Sequence, residues 1–432
     1  MEWPTYLDEY EKLLVRMSKP RVIIDNAGCP DATRVMIDSA RKHAILLESI
    51  QVLIDRNLSI KKAYISSDGR WFMDVFHVTD SNRNKLTDEN ILKSIEQSLE
   101  MAHSGRSKKV DGLVALELTG SDRVGLLSEV FAVLSNLNCD TMDAKVWTHN
   151  GRIASLVFFK DDEYGSPVED SKGLDLLEAM LRNVLKGQQD DAKSAKTRMS
   201  SQVTHAERRL HQMMFEDRDY ERRKPGFFDE SLCEPVVVSV HYCLQRDYSV
   251  VNVQCKDRSK LLFDVVCTLT DMEYVVFHAT VDASGDTAFL EFFIKHTDGT
   301  PISSEAENQR VIVCLRAAIE RRAPRGIRLD LRTSDRKGLM AQVTRTFREN
   351  GLNVTMAEIS TKAGRAEGTF YVTDADGNLP DPGIVQSVRE KIGLSELIQV
   401  SEPPAICDQP STANAMLVSL CSLVRRNLFN LG

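Results

Sequence analysis

No stretch of the chain reaches the roughly 18 consecutive apolar residues that a bilayer-spanning helix requires, so a transmembrane protein is not expected. The N-terminal Met1-Glu2-Trp3-Pro4 is acidic and lacks the apolar core of a secretory signal. No Cys-x-x-Cys pair occurs among Cys29, Cys139, Cys233, Cys243, Cys255, Cys267, Cys314, Cys407 and Cys421, which argues against a structural zinc site. Their odd number, and their place within apolar patterns, fit reduced thiols in a cytoplasmic or nuclear protein. Basic charge is not in excess: 55 Lys and Arg face 63 Asp and Glu, for a net charge of −8. Nucleic acid is therefore not an expected partner, since binding it needs a basic face to displace counterions. The glycine-rich, P-loop, His-Glu-x-x-His and Gly-x-Ser-x-Gly signatures are missing, as is any pairing of nucleophile with base. Neither catalytic residues nor a metal or cofactor is expected.

What the chain does hold is an internal repeat. Ser121-Asp122-Arg123-Val124-Gly125-Leu126-Leu127 closely matches Ser334-Asp335-Arg336-Lys337-Gly338-Leu339-Met340. A third copy, Asp257-Arg258-Ser259-Lys260-Leu261-Leu262, has lysine in place of the glycine, and a degenerate fourth begins at Arg41. Counting 22 residues on from Arg41, Asp122, Asp257 and Asp335 reaches Ala63, Ala144, Ala279 and Ala357. A glycine follows each alanine after six or seven residues, at Gly69, Gly151, Gly285 and Gly364. Four copies on one fixed offset establish the repeat.

Each copy opens on an alternating strand, as in Leu113–Thr119 or Ile327–Arg332, and its turn leads into an amphipathic helix. Two strands follow, joined by the glycine-bearing turn: Tyr64–Ser66 with Phe72–Val78, Ala144–Thr148 with Ile153–Phe159, Val276–Val281 with Ala288–Ile294, and Ala357–Ser360 with Gly368–Val372. A second helix closes the unit, with Thr87 and Ser304 as candidate N-caps and Glu307 placed for a capping box. The predicted class is α+β: tandem ferredoxin-like βαββαβ modules with antiparallel sheets, arranged as two pairs. The expected boundaries are 20–105, 110–186, 233–323 and 324–402, with a tail at 403–432. Only the last module shows a fourth strand of its own, Leu397–Val400.

Between the second and third modules lies a polar segment, 187–232, whose position predicts pairing of module 1 with 2 and of 3 with 4. Gly187–Ser201 reads as a flexible linker. Val203–Glu221 reads as a helix with an apolar edge at Leu210, Met213 and Met214. Its charged Glu207–Arg209, and His205 and His211, are expected on a solvated face. Ala415–Leu431 is amphipathic, and docking within the molecule is its default expectation.

These features resemble the plant ACT domain-repeat (ACR) proteins, which carry four ACT modules. The resemblance rests on Asp38-Ser39-Ala40-Arg41-Lys42-His43, on Ile60–Gly69, on Trp71-Phe72-Met73-Asp74-Val75-Phe76 and on the connector Thr204–Phe215. It implies a non-catalytic regulatory protein that binds small metabolites, most naturally amino acids, between paired modules. By the same resemblance the ligand-binding residues would be Asp122, Arg123, Gly125, Leu126 and Asn138 in module 2, and Asp335, Arg336, Gly338, Leu339 and Asn353 in module 4.

The chemistry of the turn agrees. The first amides of a helix lack intrahelical partners, and with the helix dipole they favour a carboxylate. Asparagine offers donor and acceptor to a zwitterion. The structural alternative is that the aspartate caps the helix and the glycine merely permits the turn. Ala44 and Lys260, at the glycine position of modules 1 and 3, put a left-handed turn in doubt there. The competing expectation for the whole chain is a protein-interaction scaffold without a metabolite. Either form could pair as a homodimer through sheet edges.

Overall fold

Among the described residues the chain forms sixteen strands and nine α-helices. The computed structural model describes residues 21–40, 45–67, 71–102, 113–161, 171–186, 195–200, 205–221, 236–243, 247–323 and 325–400. Those up to Gln399 belong to one unit, and Ala415–Leu431 lies outside the described residues. Module 1 comprises β1 (Arg21–Asp25), β2 (Thr33–Ala40), α1 (Ile45–Asp55), β3 (Ser59–Ser67), β4 (Trp71–Thr79) and α2 (Glu89–Ala102). Module 2 comprises β5 (Val114–Ser121), α3 (Leu126–Asn136), β6 (Cys139–His149), β7 (Arg152–Asp161), α4 (Ser171–Lys186) and β8 (Lys196–Ser200). A connector helix, α5 (Ala206–Glu216), leads to module 3: β9 (Val237–Cys243), β10 (Tyr248–Lys256), α6 (Leu261–Asp271), β11 (Tyr274–Asp282), β12 (Thr287–His296) and α7 (Glu305–Arg321). Module 4 is β13 (Ile327–Ser334), α8 (Leu339–Glu349), β14 (Asn353–Lys362), β15 (Arg365–Thr373), α9 (Pro382–Ile392) and β16 (Leu397–Val400).

The strands form two eight-stranded sheets, β1-β2-β4-β3-β11-β12-β10-β9 and β16-β13-β15-β14-β6-β7-β5-β8. Module 1 therefore pairs with 3, and module 2 with 4, which corrects the pairing of sequence neighbours. The joins are antiparallel: Ala279 opposite Ile65 in one sheet, Ala357 opposite Val146 in the other.

The reason lies in the fourth strands. Modules 2 and 4 take theirs from the chain that follows the second helix, β8 and β16. Modules 1 and 3 take theirs from the chain before the first strand, β1 and β9. The chain thus leaves modules 1 and 3 from a helix, not from the sheet. The next module begins in another layer, and its sheet cannot simply extend the previous one. Lys196–Ser200, read as flexible linker, is an edge strand on β5; its polar composition is what an exposed edge carries.

Helix ends follow ordinary chemistry. Ser304 caps α7 by accepting from the Glu307 N–H at 3.2 Å. The expected cap at Thr87 is displaced by one residue, because the Asp88 carboxylate accepts from the Asn90 N–H at 2.8 Å.

The connector is where the two halves meet. Leu210, Met213 and Met214 of α5 bury against Ala115, Trp147, Ala154, Leu156 and Phe158 on the face of module 2 opposite its own helices. Its other side packs on α6 of module 3. Glu207 and His211 of α5 are consequently buried, contrary to expectation. His211 is 2% exposed and Glu207 5%.

They complete an ion network with the end of α7. Arg321 clasps Asp219 with Nε at 2.7 Å and a terminal nitrogen at 2.6 Å. The neighbouring Arg322 donates to Asp264 at 3.0 Å and pairs with Glu207 at 3.0 Å. Its guanidinium lies 4.6 Å over the Trp147 ring. His211 bridges the set, its Nε2 2.8 Å from Asp264 and its Nδ1 3.2 Å from Arg321. That geometry fits a neutral ring donating to Asp264 and accepting from Arg321, and burial lowers its pKa accordingly. His149 of module 2 meets Asp219 at 2.8 Å.

Burial alone would raise these carboxyls, and the guanidinium groups outweigh it. Asp219, beside Arg321 and His149, is left at about 2. Asp264 and Glu207, both facing Arg322, are held well below the carboxylate range. Asp74 is the reverse case. It points into the core of module 1 at 1% exposure, and burial lifts its carboxyl to about 7.

Removing one partner of a buried ion pair strands the other, at about 3–5 kcal/mol. Arg321→Ala should lower the unfolding free energy by that amount in urea titrations; a loss below about 1 kcal/mol would show that the clasp is dispensable. The acids with depressed pKa contribute stability that is present above the ordinary carboxylate pKa and lost as pH falls toward about 2. The urea midpoint should therefore drop between pH 5 and pH 3. Asp74 has the opposite sign: its contribution is present below its unfolded pKa and lost as pH rises through about 7. Asp74→Asn should stabilise the protein at pH 8 but not at pH 4, and equal effects at both would contradict the buried acid.

Candidate functional site

One backbone bond fixes the Asp-Arg turn in three modules. The Asp122 N–H donates to the Gly151 carbonyl, Asp257 to Asp286 and Asp335 to Gly364, at 2.9, 2.6 and 2.9 Å. The turn is thereby tied to the hairpin between the two strands that follow the module's first helix. The chain then passes through the left-handed region, at Gly125 (φ 82°), Lys260 (φ 64°) and Gly338 (φ 72°). Lys260 keeps the turn that its side chain put in doubt. Its ammonium meets Glu207 at 2.6 Å, which helps offset the roughly 1–2 kcal/mol of a left-handed L-residue. Ala44 lies outside the described residues.

Neither aspartate stands at the N-cap position. The N-cap positions are Gly125 and Gly338 themselves, with no side-chain cap on α3 or α8. First-turn N–H groups at Leu127 and Ser128, and at Met340 and Ala341, are left without intrahelical partners. The pairing of β6 with β14 sets each turn against the start of the other module's second strand. The first cleft is lined by Asp122, Arg123, Gly125, Leu126, Ser128 and Asn353, among others, and holds about 260 Å³ of empty space with its open mouth included. The second is lined by Asp335, Arg336, Gly338, Leu339, Cys139 and Asp140, among others, and holds about 330 Å³ measured the same way. The expected residues of modules 2 and 4 thus do come together across the interface. Asn353 donates to the Asp122 carboxylate at 3.2 Å, and Asn138 accepts from Lys337 at 3.0 Å.

Two expectations need correction. Asn138 is not the counterpart of Asn353. The 213-residue step that carries Asp122 to Asp335 carries Asn138 to Gly351 and Asp140 to Asn353. Asn138 (φ 53°) and Gly351 (φ 70°) are the left-handed residues after the first helix, a position that favours asparagine and glycine. Asp140, which the same offset could have found, is the cleft residue. Arg123, although it lines its cleft, is engaged within its own module: it pairs with Glu129 and reaches the Val184 carbonyl at 3.2 Å, joining α3 to α4. Arg258 repeats this with Asp264 and the Ile319 carbonyl. Arg336 has Gln342 where Arg123 has Glu129; it is exposed and carries no ion pair among the described residues.

Three of these four modules match known domain families. Residues 28–106 match the ACR family N-terminal ACT domain, 237–327 an ACR9-like, ACT-like domain, and 327–393 the ACT domain. The chain is 59% identical to ACT domain-containing protein ACR8 of Arabidopsis thaliana over 99% of its own length and 98% of the relative's. Identity to ACR4 of the same plant is 51%, covering 92% and 90%. The chain belongs to the ACR family of ACT-domain proteins. Among the described residues no helix is long and apolar enough to cross a membrane.

In this ACR protein the two turn glycines differ in what surrounds them. A Cβ at Gly125 would lie 2.5 Å from Arg348 Cδ, whereas one at Gly338 would meet only the Ser135 hydroxyl, at 3.1 Å. Both substitutions to alanine should cost about 1–2 kcal/mol for the left-handed backbone. Gly125→Ala should cost more, and Arg348→Ala in the same chain should remove the excess. Equal losses for the two single variants in urea unfolding would refute the difference.

Proposed function

We propose that this protein is a non-catalytic regulatory ACT-repeat protein that binds a free amino acid between modules 2 and 4. The observation that carries this reading is the pair of clefts across the β6–β14 join. Each combines an aspartate with the uncapped start of a helix, and one adds the unpaired guanidinium of Arg336. Uncapped amides and a guanidinium suit an α-carboxylate, and the aspartates suit an α-ammonium. The hydrophobic residues Leu126 and Leu339 stand at the clefts for the ligand's side chain. A ligand held by two modules at once would tighten the join between them, and that change is what a partner protein could read.

Ligand that binds only the folded chain raises its melting temperature by linkage. A thermal-shift screen of the purified protein against the twenty amino acids at millimolar concentration should give a shift of several degrees for one or a few of them. Arg336→Ala should abolish that shift while leaving the unliganded melting temperature within a degree or two. A flat screen would favour an interaction scaffold that reads no metabolite.

A further inference from the structure

The strands of module 1 have a core face and an open face. Val35, Ile37, Ala63, Ile65 and Phe76 point into the core shared with α1. Alternation turns their neighbours the other way. Pairing sets Ile23, Met36, Val75 and Tyr64 in one row across β1, β2, β4 and β3. Met73 stands in the next row, between Asp38 and Ser66. Tyr64 is 47% exposed and Met73 58%. On the other side runs a row of bases, Arg34, His77 and Lys62, in which Arg34 pairs with Asp25 and Lys62 with Asp282.

Module 2 shows what such a face takes. The 81-residue step that carries Ala63 to Ala144 carries Met73 to Ala154 and Val75 to Leu156. Ala154 and Leu156 are buried in one cluster with Leu210, Met213 and Met214 of α5. A second segment with that pattern precedes β1. In residues 1–20, which lie outside the described residues, Tyr6, Leu7, Tyr10, Leu13, Leu14 and Met17 recur at the spacing of one helix face. Pro4 and Pro20 stand where a first turn and a helix end accept proline. A helix from Pro4 to Ser18 spans about 22 Å, and the step from β1 across the module to β11 is about 19 Å. Glu9 and Glu11 border the apolar stripe, as the bases border the apolar row. The segment enters the sheet at Arg21, opposite Asp38, which is in turn opposite Met73.

We propose that residues 4–18 dock as an amphipathic helix across the open face of module 1, with Tyr64, Met73 and Val75 beneath them, as α5 docks on module 2. The occupant is the chain's own segment because Arg21, where it enters the sheet, already lies on the row of Met73, and the tether keeps it at high local concentration. The tail at 403–432 instead follows β16, a strand of the other sheet. The docking site is separate from the clefts of the module 2–4 join and does not depend on an amino acid bound there.

The photoreactive substitution Tyr64→p-benzoylphenylalanine in the full chain, irradiated after mixing with an equal amount of unsubstituted, heavy-isotope-labelled chain, tests it by mass spectrometry of the products. Crosslinks beyond the sheet itself should fall within residues 4–18 of the same chain. Met73→p-benzoylphenylalanine should give the same product, so that one disturbed position does not decide the result. Leu13→Glu with Leu14→Glu, which puts charge into the apolar contact, should cut the product roughly ten-fold while the cooperative urea transition is retained. Crosslinks that survive this double substitution, that reach a labelled chain or the tail at 403–432, or that stay confined to the sheet would overturn the inference.

Discussion

The architecture depends on two consecutive arginines at the end of one helix. Arg321 and Arg322 are 3% and 5% exposed, and each is surrounded by carboxylates from other parts of the chain: Asp219 of the connector, Glu207 of α5 and Asp264 of α6. Charges so deeply placed are tolerable only when every partner is present. The helix layer of one sheet, the connector and the open face of the other sheet must therefore assemble together. The apolar residues of α5 and Trp147 add contact area. The ions determine which layer meets which.

That junction also engages the repeated turn differently in modules 2, 3 and 4. In the 1–3 pair the turn of module 3 is committed to structure. Lys260 turns toward Glu207 and Arg258 toward Asp264. Asp257 faces Lys61 at 3.9 Å, and it too is spoken for. In the 2–4 pair the same turn faces a cleft, and at Arg336 the residue that ties Arg123 or Arg258 to its own module has no matching carboxylate. One repeated motif thus serves as a clasp in one sheet and as a candidate binding element in the other.

Much of this was legible in the sequence, for definite reasons. Period-two alternation and a fixed offset from turn to alanine to glycine are local, so the modules, their helices and their hairpins could be read from the chain. Pairing could not, because the partner of Ile65 is Ala279, far along the chain, and nothing near either residue encodes it. Lys196–Ser200 is polar because it is an edge, and polarity there looks like a linker. Glu207 and His211 resemble solvated helix residues since their counter-charges arrive from Arg322 and Asp264, on other elements. The site was partly legible. The Asp-Arg turns are legible as a repeat, but their expected role comes from the family resemblance, and matching Asn138 to Asn353 by residue type misses Asp140, to which the repeat offset points.

The central claim is that a metabolite is held across the module 2–4 join, where the first turn of a helix meets the start of the facing strand. Hydrogen–deuterium exchange of the full chain, with and without the twenty amino acids, addresses it at the backbone amides themselves. The account predicts slower exchange confined to the clefts of the module 2–4 join, at residues 122–128 with 353–354 or 335–341 with 139–141, and an unchanged 1–3 pair. Unaltered exchange throughout, or protection centred on the module 1–3 join, would contradict it.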